Sequence, residues 1–99
     1  WADVPLLPNV SALIQDGNIT GASGRNWEGY GPEISLESGL PTECQTLLSD
    51  PQTSGGLLVS CSPDTVPEVL AVFMRHGFHD AAIVGHIGEA QKSRLVVNC

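Results

Sequence analysis

The sequence predicts an α+β domain, and three stretches carry that expectation. In "SPDTVPEVLAVFMRHG" the residues Val66, Val69, Leu70, Phe73 and Met74 fall on one helical face. The apolar run "GLLVSC" before it reads as a buried strand, while "AAIVGHIGE" and "RLVVN" after it, joined by a polar turn at residues 90–93, read as an antiparallel hairpin. Strand, helix and hairpin in that order describe a mixed sheet with helices packed on it rather than a doubly wound sheet.

The elements follow in chain order. Residues 4–7, "VPLL", suit a short edge strand, because Pro5 and Pro8 cannot donate to a ladder. Asn9 is placed as the N-cap of a short helix with Val10, Leu13 and Ile14 on one face, ending near Gly17. Residues 17–41 hold six glycines and two prolines with little apolar periodicity, and so read as a long ordered loop anchored by Trp27 and Tyr30. A helix is expected from Thr42 or Glu43 through Leu48, stopped by Pro51. For the main helix Asp64 is the better N-cap, which puts Pro67 where no intrahelical N–H is needed; Ser62 with Pro63 is the alternative start. Gly77 closes that helix.

Composition narrows the function. Ninety-nine residues, 41% hydrophobic, suffice for one modest core. Eleven acidic against four basic side chains give a net charge of -7, which disfavours nucleic acid and anionic membrane as partners. No apolar run reaches the roughly 20 residues of a membrane span. The chain begins at Trp1 with no signal-peptide pattern and reads as excised from something longer. Cys44, Cys61 and Cys99 form neither a disulfide framework nor a zinc motif, so a reducing, cytoplasmic setting fits, with Cys61 read as an inert buried thiol.

Two stretches hold candidate chemistry. In "DPQTSGG" the N–H groups around Thr53, Ser54, Gly55 and Gly56, with two hydroxyls, suit an anion-binding concavity. Against this, the loop follows a helix instead of preceding one, and Asp50 adds negative charge; a stiff elbow into a strand explains the same residues. In "GRNWEGYG", Arg25 beside Asn26 offers a donor fork to a carboxylate or phosphate, or else pairs with Glu28 or Glu33. Trp27 and Tyr30 suit either stacking on a base or anchoring a loop. His76, His79 and Asp80 lie close together, but no second ligand cluster accompanies them, and no metal site is expected.

The stretch "LLSDPQTSGGLLVS" resembles the C-terminal motif of the selenophosphate synthetase family, the selenide, water dikinases. The feature order also resembles that family over roughly residues 4–98: a Gly-rich segment with Arg25-Asn26, a short helix, the motif, a strand, a helix ending in Gly and a closing hairpin. Where the family has Gly-Gly-Thr before Arg-Asn, this chain has Gly21-Ala22-Ser23-Gly24, and no role is carried over for that turn. The resemblance implies an ATP- and Mg2+-dependent enzyme making selenophosphate, AMP and phosphate from selenide, ATP and water. It also implies the aminoimidazole ribonucleotide synthetase-like architecture, with residues 1–99 as the C-terminal portion of the C-terminal domain. The ATP-binding, dimerising N-terminal domain, the reactive Cys or selenocysteine, its Lys and the magnesium-binding aspartates would lie upstream. No catalytic residue is therefore expected in this chain. Thr53, Ser54, Gly55 and Gly56 are expected to line the phosphate cleft, helped by Arg25 and Asn26, with Asp50 orienting the loop. The rival expectation is a non-catalytic interaction or scaffold module, and the isolated chain is expected to self-associate.

Overall fold

The computed structural model describes residues 1–90 and 92–99. Four α-helices, α1 (Val10–Gln15), α2 (Gly21–Tyr30), α3 (Cys44–Leu48) and α4 (Val66–Arg75), accompany two strands, β1 (Ile34–Leu36) and β2 (Leu95–Val97). The α+β class holds. The strands pair in parallel, with Ile34 opposite Leu95 and Leu36 opposite Val97. Glu37 N–H donating to the Val97 carbonyl (2.9 Å) and Arg94 N–H to the Glu33 carbonyl (2.8 Å) extend the ladder at both ends.

Two helix ends follow directly from glycine. At α1, Gly17 (φ 85°) lets its own N–H reach the Ile14 carbonyl while Asn18 N–H reaches that of Leu13. At α4, Gly77 (φ 85°) does the same, with Gly77 N–H on Met74 and Phe78 N–H on Phe73. Both are the double bond of a Schellman end, and at α4 the expected apolar contact is present as an edge-to-face pair of Phe73 and Phe78, centroids 6.2 Å apart. The start of α4 takes the Ser62 alternative: Ser62 is extended, Pro63 opens a 3-10 turn over Pro63–Thr65, and Asp64 lies inside that turn instead of capping the helix.

Four expectations are corrected. Residues 17–41 are not a loop, since α2, a 3-10 turn at Gly31–Glu33 and β1 occupy most of them. Thr20 caps α2 by accepting the Ser23 N–H (3.3 Å), but Gly21, Gly24 and Gly29 hide the helix from a propensity reading, each costing about 1 kcal/mol relative to alanine. Tertiary bonds described below offset that cost. Residues 4–7 form no strand. Neither "GLLVSC" nor "AAIVGHIGE" enters a ladder among the described residues, because β2 pairs with distant β1 rather than with its chain neighbour; within the expected hairpin turn, Gln91 lies outside the described residues. The apolar runs stay open, with Leu57 82%, Leu58 86% and Ile87 84% exposed.

Among the described residues Cys44, 1% exposed, and Val97 are the buried apolar side chains, and Ser23 is the buried polar one. The radius of gyration, 14.8 Å, exceeds the about 13 Å of a compact chain of this length, in keeping with the open apolar segments. No helix of the described residues is long and apolar enough to cross a membrane.

Candidate functional site

Helix α2 sets one polar edge toward the end of α3. Thr20, Ser23, Asn26 and Tyr30 recur at intervals of three or four, so one side of the helix carries them all. Asn26 Nδ2 donates to the Ser49 carbonyl at 2.9 Å, which satisfies a carbonyl that the end of α3 leaves free. Ser23 Oγ donates to Asp50 Oδ1 at 3.3 Å and lies 3.1 Å from Thr20 Oγ1. Since Ser23 gives its only proton to the carboxylate, Thr20 must donate to Ser23 while accepting the Ser23 N–H. A directed chain therefore runs from Thr20 through Ser23 to Asp50.

This chain changes the electrostatics read from sequence. The loop after α3 does leave a carboxyl helix end, but Asp50 is tied to the amino end of α2, whose dipole favours a carboxylate. Asp50 is thus held in place by Ser23. Sequence reasoning missed Thr20 and Ser23. The available signal was a hydroxyl residue just ahead of "GASGRNWEGY", with a second one three residues on.

Asp50 lines two concavities. One, of about 310 Å³, is lined also by Asn26, Trp27, Tyr30, Ile34, Leu48 and Leu95. The other, of about 520 Å³, is lined by apolar residues such as Leu6, Val10 and Leu13 together with Gln52, Thr53 and Ser54. Residues 50–56 are exposed, so both hydroxyls are open to a ligand. The left-handed glycines are Gly17, Gly39 and Gly77, and neither Gly55 nor Gly56 joins them. A Cβ at Gly55 would meet Gln52 atoms at an ordinary 3.5 Å and one at Gly56 would meet nothing, so no contact within the chain requires glycine at either position.

The expected site residues are brought together only in part. Asp50, Thr53 and Ser54 line the larger concavity, and Asn26 joins Asp50 in the smaller. Arg25 lies elsewhere: it is exposed, and its guanidinium folds back along α2, with Nη1 3.6 Å from where a Gly21 Cβ would stand. It does not pair with Glu33, which instead meets Arg94 Nε at 3.2 Å in an open ion pair. The described residues gather no group of three His, Cys, Asp or Glu side chains able to hold a metal.

The reading of Cys61 as a buried thiol is corrected. Cys61 is exposed and Cys44 is the buried thiol. Burial pushes the Cys44 thiol above its ordinary 9.0, the amino terminus pulls it back, and Glu43 and Cys99 push it further up. A raised folded-state value means stability that is fully present below 9.0 and lost as the pH climbs through the folded value. The expected outcome is that Cys61 and Cys99 react with a thiol reagent at neutral pH well before Cys44, and that the melting-temperature gap between wild type and Cys44→Ala narrows above pH 9.0. Equal modification of all three thiols would contradict it.

Comparison with known proteins identifies the family. The chain is 52% identical over 91 residues to the selenide, water dikinase of Dechloromonas aromatica (strain RCB), covering 92% of this chain and 26% of that protein. Identity to the selenide, water dikinase of Paraburkholderia xenovorans (strain LB400) is 55% over 87 residues, 88% of this chain and 25% of the relative. The selenide, water dikinase of Rhizobium meliloti (strain 1021) is 45% identical over 82 residues, 83% of this chain and 24% of its own length. The chain thus spans about a quarter of the length of these curated relatives. No solved structure matches. Residues 12–98, which include both concavities' polar residues, match one family along nearly the whole chain, and the protein belongs to that family, AIR synthase related protein, C-terminal domain.

Proposed function

We propose that this chain is the C-terminal portion of a selenide, water dikinase, a cytoplasmic enzyme that converts selenide, ATP and water to selenophosphate, AMP and phosphate as the selenium donor for selenocysteine. The observation that carries the reading is identity of 52–55% to proteins of that name over 88–92% of the chain. In this reading residues 1–99 are part of the C-terminal domain, and an N-terminal domain outside them binds ATP and forms the homodimer.

The chain's own contribution is a wall. Phosphoryl transfer depends on positioning and charge stabilisation, and Thr53 and Ser54 present open hydroxyl donors on a groove whose loop Asp50 anchors. Mg2+ would neutralise phosphate charge, but the donor set here does not fit it, since no three candidate ligands converge among the described residues. Metal and the reacting groups fall to the other domain. Arg25, whose guanidinium lies back toward Gly21 along α2, serves the phosphates only by swinging its long side chain across. The test is 31P NMR of the full-length protein with selenide and ATP: a selenophosphate signal with AMP in equal amount supports the reading, and ATP left intact in the presence of selenide removes it.

The second reading is a non-catalytic interaction module, and the exposure of Leu57, Leu58 and Ile87 is what favours it. Each such side chain is worth about 1.5–3 kcal/mol when covered. The isolated chain is accordingly expected to form concentration-dependent oligomers in light scattering, with Leu57→Lys and Leu58→Lys together shifting it toward monomer. A wild-type chain that stays monomeric at high concentration would contradict this.

A further inference from the structure

We propose that Ser23 and Asn26 are positioning residues for phosphoryl transfer: one turn apart on α2, they clamp the start of the 50–56 loop and so aim the Thr53 and Ser54 hydroxyls. The assignment rests on the dikinase reading and adds to it the residues that hold its phosphate wall. The clamp has two points on consecutive residues. Asn26 Nδ2 donates to the Ser49 carbonyl at 2.9 Å, and Ser23 Oγ donates to Asp50 Oδ1 at 3.3 Å. Residues three apart on a helix share a face, so one side of α2 fixes both a peptide group and a side chain at the point where the loop leaves α3. Ser23 is 3% exposed, and the low local dielectric strengthens its bond to the carboxylate. Thr20 completes the clamp by donating to Ser23 Oγ at 3.1 Å, which turns the Ser23 proton to Asp50.

Beyond Asp50 the loop has no such support. Among the described residues, no hydrogen bond ties residues 51–56 to the rest of the chain. Their direction is inherited along the backbone from the clamp. Pro51 fixes its own φ at about −65°, and residues 53–54 then form a turn that brings Gly55 back beside Gln52, where a Cβ would stand 3.5 Å from Gln52 Oε1. A shift at residues 49 and 50 is therefore passed through a stiff proline to the two hydroxyls. Phosphoryl transfer is sensitive to such a shift, because a displacement of about 1 Å can cost about a hundredfold in rate. Asn26 thus acts on the phosphates through the loop rather than by touching them.

The test is steady-state kinetics of the full-length enzyme carrying Ser23→Ala, Ser23→Thr or Asn26→Ala, with the two alanine variants also made in the Thr53→Ala/Ser54→Ala background. Alanine is a better helix former than serine and leaves the backbone N–H of residue 23 on Thr20 Oγ1, so α2 is expected to form. Ser23→Ala is expected to lower kcat about tenfold with KM for ATP nearly unchanged, and Ser23→Thr, which keeps the hydroxyl, to retain most of the rate. Asn26→Ala cuts the clamp at its other point with the same expected result. With Thr53 and Ser54 already replaced, both alanine variants are expected to cost almost nothing further, because the groups they aim are gone. A merely structural role would subtract the same factor in both backgrounds and overturns the proposal, as does unchanged kcat in Ser23→Ala. Threonine-methyl NMR of the same proteins gives a second readout: in Ser23→Ala the Thr53 methyl signal is expected to move while that of Thr65, just before α4, stays, and an unmoved Thr53 signal overturns the clamp. Wild-type enzyme that leaves ATP intact in the presence of selenide removes the dikinase reading and the wall with it, whereas active wild type with an equally active Ser23→Ala overturns the clamp alone.

Discussion

Replacing Thr53 and Ser54 together with alanine in the full-length enzyme is expected, if the two hydroxyls wall the phosphate cleft as proposed, to lower kcat by roughly thirtyfold to several hundredfold and to leave the melting temperature nearly unchanged. The size follows from two hydroxyl donors that, in the proposed wall, reach charged oxygens, each bond worth about 1–2 kcal/mol, and 1.4 kcal/mol is a factor of about ten. The small stability change follows from exposure, since both residues sit in the open stretch 50–56. The measurement is steady-state AMP release beside a thermal scan of the same preparations. Unchanged turnover would falsify the phosphate wall. Lost stability with proportionate lost activity would assign the two hydroxyls to the fold instead.

The second large effect is at Gly31. A Cβ built there stands 2.8 Å from Trp27 Cε2 and 2.9 Å from Nε1, well inside van der Waals contact with a rigid indole. The flexible tip of a long chain could move aside cheaply, but the Trp27 indole is a rigid ring and must swing as a whole. Gly31→Ala is therefore expected to cost about 1–3 kcal/mol, which for a chain this size lowers the melting temperature by at least about 4 °C. Circular dichroism melting checks it, and a melt matching wild type would show that the indole has room the structure does not display.

What was legible in the sequence was local. Helix α4 announced itself through the 3.6-residue recurrence of Val66, Val69, Leu70 and Phe73, and Gly17 and Gly77 marked helix ends because the chain there needs positive φ. The same rule failed at α2, where three glycines lowered the propensity and the compensating bonds came from Ser49 and Asp50, more than twenty positions away. "GLLVSC" has strand composition but no ladder partner among the described residues, and composition does not supply one. Strand β2 was read correctly as extended but assigned the wrong neighbour, since nothing in "RLVVN" encodes a parallel partner at Ile34–Leu36. The site divided in the same way. Asp50, Thr53 and Ser54 were visible as a motif, whereas Thr20 and Ser23 gained a role only when α2 set them against Asp50.

The pairing of β1 with β2 also governs when the protein can fold. The two strands are separated by residues 37–94, so the sheet must wait until nearly the whole chain has been synthesised. Closing a loop of that length costs on the order of 3–4 kcal/mol in chain entropy, before the fixed part of the closure term. Helices α1, α2 and α3 depend on nearer contacts and can form earlier, on the ribosome, while β1 remains an open edge. During that interval the nascent chain shows an unpaired strand beside its apolar runs, and a chaperone that shields such edges would act on it before β2 emerges.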